Sequence, residues 1–309
     1  MALFGLGWRQ RIQQFRPYRA LLLCFVVTIG YLLFRMSFTR TQINEALREI
    51  NLCLVPVRCL GLQKLSGEYS VIYYPRGEKE EAELVLKGAE RFLPEVAAVF
   101  GLSLKRQVPF IICREQEELN RLFGWPANEG TMGVYWGGTV WVLRPSSWIE
   151  APDTAVLQER FFHTGPIVHE ATHLMVDYQT RGNYPRWLTE GLAQEVERRL
   201  VGFAFEPPPG LPTWYSFEML DRFDSLPDQG VAYYQSLLMV RYLLQHGGEA
   251  KVAALLTELG RGSSFERAFS EVMGYGVAEF EAAFFHSLLN EERRIAVGSK
   301  DCCPRWPAA

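Results

Sequence analysis

His169-Glu170-Ala171-Thr172-His173 sets two histidines four residues apart within an apolar run. Residues four apart share one face of an α-helix, so both imidazoles can reach a single metal ion only if this segment is helical. Its surroundings fit a buried helix: Ile167, Val168, Leu174, Met175 and Val176 are apolar, and Gly165-Pro166 starts it. Glu170 falls beside the position such an ion leaves open, where a carboxylate can take a proton from bound water.

Catalytic zinc takes three protein ligands and keeps one position for water. A third histidine six residues beyond the second, after a glycine, is one solution, but Val176 and Gln179 occupy those positions. A glutamate on the following helix is the other. Trp187-Leu188-Thr189-Glu190-Gly191-Leu192-Ala193 supplies one, with 16 residues between His173 and Glu190. Pro185 introduces that helix, and the stretch Thr180 to Tyr184 is short enough to fold it back on the first. The expected centre is one Zn2+ per chain on His169, His173 and Glu190, with Glu170 as general base.

The rest of the 309-residue chain reads as α+β, with an N-terminal mixed α/β lobe carrying an edge strand and a C-terminal helical lobe. Strands are expected at Tyr69 to Tyr74 and Val108 to Cys113, and as a hairpin over Gly133 to Leu143 around Gly137-Gly138. Helices are expected at Glu80 to Phe100 and Glu115 to Phe123, then at 166–180, 186–201, 215–223, 231–246, 249–260, 263–273 and 277–295. Pro207-Pro208-Pro209 marks a rigid loop. The organisation is a basic segment 1–19, a membrane anchor 20–39, a linker 40–66, the mixed lobe 67–150, the helical catalytic lobe 151–298 and a tail 299–309. A cleft between lobes is a usual place for a site.

Ala20 to Phe34 carries no charge and is flanked by Arg19 and Arg35. Fifteen helical residues rise about 22 Å, short of a hydrocarbon core of roughly 30 Å, and Met36 to Thr39 add length. A cleaved signal peptide is the rival, but the apolar run follows a long N-terminal segment and no small-x-small site follows it. Arg9, Arg11, Arg16 and Arg19 precede the run, whereas Glu45 and Glu49 offset the arginines behind it. The positive-inside rule then gives a single-pass protein of the cell membrane, N-terminus cytoplasmic and catalytic domain outside. A net charge of −3 argues against nucleic acid as a partner. No C-x-x-C occurs; Cys53 and Cys59 are either bridged or free thiols.

The pairing of H-E-A-T-H with W-L-T-E-G-L-A resembles the gluzincin metallopeptidases of the peptidase MA type. The likeness extends over roughly residues 67–290, through Ala232-Tyr233-Tyr234-Gln235-Ser236, Val240-Arg241-Tyr242-Leu243, Gly247-Gly248 and Gly262 to Phe269. It implies a helical zincin lobe and zinc hydrolysis of a peptide or protein substrate. It also implies a transition-state donor, Tyr233 first and Tyr234 second, and a substrate-binding edge strand at Gly133 and Val134. Asp177, Gln194 and Glu197 are candidates to orient the histidines, while His163, His246 and His286 read as structural. Two other readings are a non-catalytic binding module that kept the fold and zinc hydrolysis of a non-peptide bond.

Overall fold

The computed structural model describes residues 16–35, 40–126, 130–205 and 213–297. The triple-proline loop and the C-terminal tail lie outside them. The N-terminal lobe holds one five-stranded sheet: β1 Gln63–Ser66, β2 Ser70–Tyr74, β3 Val108–Cys113, β4 Gly133–Trp136 and β5 Thr139–Leu143, ordered β1-β2-β3-β5-β4. β2, β3 and β5 run parallel, and β1 and β4 are antiparallel edges. Every residue of β3 is buried, as a continuous apolar run in a central parallel strand requires. Gly137 and Gly138, with φ of +52° and +86°, turn β4 into β5; two consecutive positive φ values match the right-handed strand twist.

Helix α1 spans Arg16–Arg35, and residues 36–39 of the expected anchor lie outside the described ones. Among the described residues no helix is long and apolar enough to cross a membrane.

Residues 40–66, expected as a linker, fold with the domain instead. They form helix α2, Arg40–Arg58, and strand β1. Val55 and Cys59 pack on Ile111 of β3. The face α2 buries is mostly polar (Thr41, Arg48, Asn51 and Val55), while Ile43, Leu47, Ile50 and Leu54 are exposed. Hydropathy therefore points away from the side that docks. Cys53 and Cys59 are free thiols.

Helix α3, Lys79–Val99, is the crossover from β2 to β3, and α4 covers Gln116–Phe123. Helix α5, Thr154–Thr164, was not among the expected helices, although Asp153 caps it by accepting the Val156 N–H at 2.9 Å. Then come α6 Ile167–Thr180, α7 Arg186–Val201, the single turn α8 Phe217–Leu220, α9 Gln229–Gly260, α10 Phe265–Met273 and α11 Val277–Val297. The two helices expected at 231–246 and 249–260 follow one another within Gln229–Gly260, parted by a kink at the non-helical Gly248, with φ +74° and ψ 168°.

Two cores result. One joins the sheet, α3 and the apolar side of α6 (Ile167, Val168, Ala171, Leu174, Met175), and the other joins α7, α9, α10 and α11 around Trp187, Leu188, Leu192 and Phe269. Val176 of α6 belongs to the second core and Val196 of α7 to the first. Helices α6 and α7 thus form the seam between the lobes, each held from both sides.

Candidate metal centre

Helix α6 ends at Arg181, in the left-handed region at φ +55°, and Gly182 follows at φ +72°. This reversal brings α7 back along α6, with Pro185 preceding its first turn. His169, His173 and Glu190 converge, each offering one ligand atom, and these atoms lie within 4.8 Å of one another. Glu190 Oε2 is 3.3 Å from His169 Nε2 and 3.5 Å from His173 Nε2.

The outer partners fix which atoms face inward. His169 Nδ1 meets Glu197 Oε2 at 3.3 Å, and His173 Nδ1 meets Thr189 Oγ1 at 2.7 Å. An ionised carboxylate only accepts, so Glu197 holds the proton on His169 Nδ1 and leaves the Nε2 lone pair free. Arg186 Nε donates to Glu190 Oε1 at 2.7 Å. The other oxygen, Oε2, is buried without a hydrogen-bond donor. Burial opposes the Glu190 charge, yet the imidazoles of His173 and His169 hold its carboxyl well below the usual carboxylate range. Zinc suits this set: a buried anion and two imidazoles meet, and the 3.3 and 3.5 Å spacings match the edge of about 3.3 Å that zinc–nitrogen bonds of 2.0–2.1 Å give a tetrahedron.

Glu170 is buried beside them, and its Oε2 accepts the Tyr135 N–H of β4 at 2.5 Å. Burial pushes its carboxyl up against the pull of His173 and His169, and Glu190 adds to the rise. A raised pKa suits a group that must accept a proton and release it again near neutral pH.

Gly133 lies against the start of α6. A Cβ there would come within 2.7 Å of Pro166 Cβ and 3.2 Å of Glu170 Cγ, so only glycine lets the edge strand approach Glu170 this closely. Val134 is half-buried and paired with Trp141 of β5. The Tyr233 hydroxyl lies in the field of Glu190 and Glu170 and bonds Arg186; burial is the main cause of its raised pKa. Tyr234 stacks on Trp214 instead, and burial raises its pKa against the Arg241 charge.

Of the three candidates to orient the histidines, only Glu197 does so. Gln194 donates to the carbonyls of Glu190 and Tyr233 at 3.1 and 2.8 Å. Asp177 accepts from Tyr135 Oη at 2.6 Å and Arg48 Nη1 at 2.8 Å. Thr189 and Arg186 were not foreseen. Arg186 was legible, standing one helical turn before Glu190. Among the remaining histidines, His163 Nδ1 meets the Val201 carbonyl and His246 Nδ1 that of Tyr242, at 2.6 and 2.8 Å, while His286 pairs with Asn290.

Fold and site together define an α+β protein with two histidines and a glutamate gathered on two antiparallel helices between its lobes. Residues 156–290 match the family model of the Peptidase MA superfamily, a stretch that begins in α5, ends in α11 and contains all three residues. This part of the chain is thus similar to the peptidases of that superfamily. No curated protein and no solved structure matches the chain.

Proposed function

We propose that the chain is a membrane-anchored zinc metallopeptidase. The observation that carries this reading is the Oε2 atom of Glu190, buried, without a donor and facing both histidine Nε2 atoms, with a carboxylate that is no ligand, Glu170, beside it. A module that only bound metal would have no use for that extra buried acid.

His169, His173 and Glu190 would hold Zn2+, which when bound supplies a Lewis acid that lowers the pKa of water and polarises the scissile carbonyl. Glu170 takes the proton of the attacking water and hands it to the leaving amine. The Tyr135 N–H fixes the direction in which Glu170 points. Tyr233, half-buried at the same centre, donates to the oxyanion. Strand β4 has a neighbour on one side only, and this supports an extended peptide as substrate, laid beside Gly133 and Val134.

The test is metal analysis paired with Glu170→Gln. The wild type is expected to bind about one zinc per chain and cleave peptides; Glu170→Gln is expected to keep the zinc and lose cleavage. Protein purified without chelators that carries no zinc would sink the reading. Zinc without peptide cleavage would point to a non-peptide bond or a binding role.

The anchor part rests on α1, on which the apolar Leu21, Leu22, Leu23, Phe25, Val26 and Val27 are each more than half exposed. The full chain should sediment with membranes and resist alkaline extraction. Recovery in the soluble fraction would remove the anchor.

A further inference from the structure

Two side chains from outside residues 156–290, those of Tyr135 and Arg48, reach the neighbourhood of Glu170. Arg48 of α2 is 6% exposed, and its Nη1 donates to Asp177 Oδ2 at 2.8 Å and to the Asp177 carbonyl at 3.3 Å. Its guanidinium carbon lies 4.1 Å from the centre of the Tyr178 ring. Asp177 stands two helical turns after Glu170, on the same face of α6. Tyr135 bridges that face: its main-chain N–H goes to Glu170 and its hydroxyl to Asp177, at 2.5 and 2.6 Å. The same hydroxyl accepts the Gly138 N–H at 3.0 Å, inside the β4–β5 turn. Two further side chains of α2 grip the surroundings, Asn51 on the Gly137 carbonyl at 2.8 Å and Asn44 on that of Gly182 at 3.0 Å.

The physical need for such a grip is plain. Strand β4 is a four-residue edge strand, bonded on one side to β5 alone. Short edges open easily, yet the main-chain donor that aims Glu170 belongs to this one. Asp177 would hold the Tyr135 hydroxyl poorly if its own charge were buried and uncompensated. Arg48 compensates it with a planar donor that needs no water.

We infer that Arg48 is a positioning residue for the general base: helix α2 clamps the edge strand through Asp177 and Tyr135, and so fixes the direction of Glu170. This rests on the reading of Glu170 as base. Residues 40–58, next in sequence to the apolar segment, are then part of the catalytic apparatus. A movement of α2 would reach the base through three hydrogen bonds.

The test uses the full chain with Arg48→Gln and with Tyr135→Phe, which removes one hydroxyl and keeps the ring. Amide exchange over residues 133–136 should speed up by about tenfold or more in both variants, as an edge strand released from its side-chain ties becomes one of the weaker parts of a fold. Their kcat on a peptide substrate should fall by about tenfold, as for other outer partners of a reacting group, with KM and zinc content near wild type. The double variant should be no worse than either single one, because both cut the same line. Wild-type exchange over β4, or an unchanged kcat per folded molecule with only the melting temperature lowered, would overturn the inference. If Arg48→Gln does not fold, Tyr135→Phe decides alone. If the wild type cleaves no peptide while binding zinc, the peptidase reading has failed, and exchange over β4 alone decides whether the clamp exists.

Discussion

Arg186 Nε donates to Glu190 Oε1 at 2.7 Å, one helical turn away, and so turns the other carboxylate oxygen toward the two histidines. The bond uses an exposed arginine to orient a buried acid, a division of labour that leaves the site's interior free of a competing cation. Arg186→Met should weaken zinc binding by roughly tenfold, within the range for lost outer partners. Because Arg186 also bonds the Tyr233 hydroxyl, kcat should fall at saturating zinc. Competition against a chelator of known affinity gives the first number and steady-state kinetics the second; unchanged affinity would show that Glu190 needs no orienting.

Thr189 Oγ1 at 2.7 Å holds His173 Nδ1. Thr189→Val keeps the shape and removes the hydroxyl, leaving a buried ring nitrogen unpaired. Zinc affinity should again drop by about tenfold, and Thr189→Ser should recover most of it. Equal loss in the serine variant would mean that packing, not the hydroxyl, sets the ring.

Gly191 follows Glu190 and lies hard against α9: an added Cβ would run into the Ser236 carbonyl oxygen and sit 2.5 Å from Val240 Cγ2. Gly191→Ala must push the two helices apart and should lower stability by about 1–3 kcal/mol, as overpacking does. Denaturant unfolding with an unchanged m-value would measure it. Since Glu190 moves with α7, zinc affinity should fall in parallel.

Glu195 is buried on α7, and burial opposes its charge. Hydrogen bonds from Arg198 and Arg199 outweigh that and hold its carboxyl below the usual value. The folded pKa lies under the unfolded one of about 4.3, so the stability it contributes is fully present above that value. It is lost as the pH falls through the folded pKa. Glu195→Gln should therefore destabilise by about 2 kcal/mol at neutral pH, the scale of a hydrogen bond to a charged group. Below the folded pKa it should destabilise little. Melting temperatures of the two proteins from pH 2 to 8 would check the convergence; a constant gap would put the loss down to packing.

Tyr233→Phe should lower kcat by about a hundredfold, the effect of losing one oxyanion donor, and leave KM near wild type. Tyr234→Phe, whose ring stacks on Trp214 away from the charged centre, should leave kcat within about twofold. The reverse outcome would exchange the two roles.

Local spacing determined much of this arrangement. The four-residue step from His169 to His173, and a short reversal before Glu190, bring the three side chains together as soon as both segments are helical, because a helix repeats its faces at fixed intervals. The β4–β5 hairpin was equally legible, since Gly137-Gly138 allows the two positive φ values such a turn needs. Glu197 was legible for the same reason as the histidines, lying on the face of Glu190 seven residues on.

Only the tertiary structure decided the rest. Helix α2 docks by Arg48 and Asn51 and leaves Ile43, Leu47 and Ile50 outside, so its hydropathy pattern misstates its buried face. Arg48 lies 129 positions from Asp177, and Tyr135 lies 35 from Glu170. Such contacts have no period. They depend on where a sheet edge, the helix that carries the two histidines and a preceding helix come to rest. The sequence by itself determined which residues could gather around a metal ion. The fold decided what aims the base beside it, because helical spacing is a local property of the backbone, and the meeting of Arg48, Asp177, Tyr135 and Glu170 exists only once three distant elements have packed.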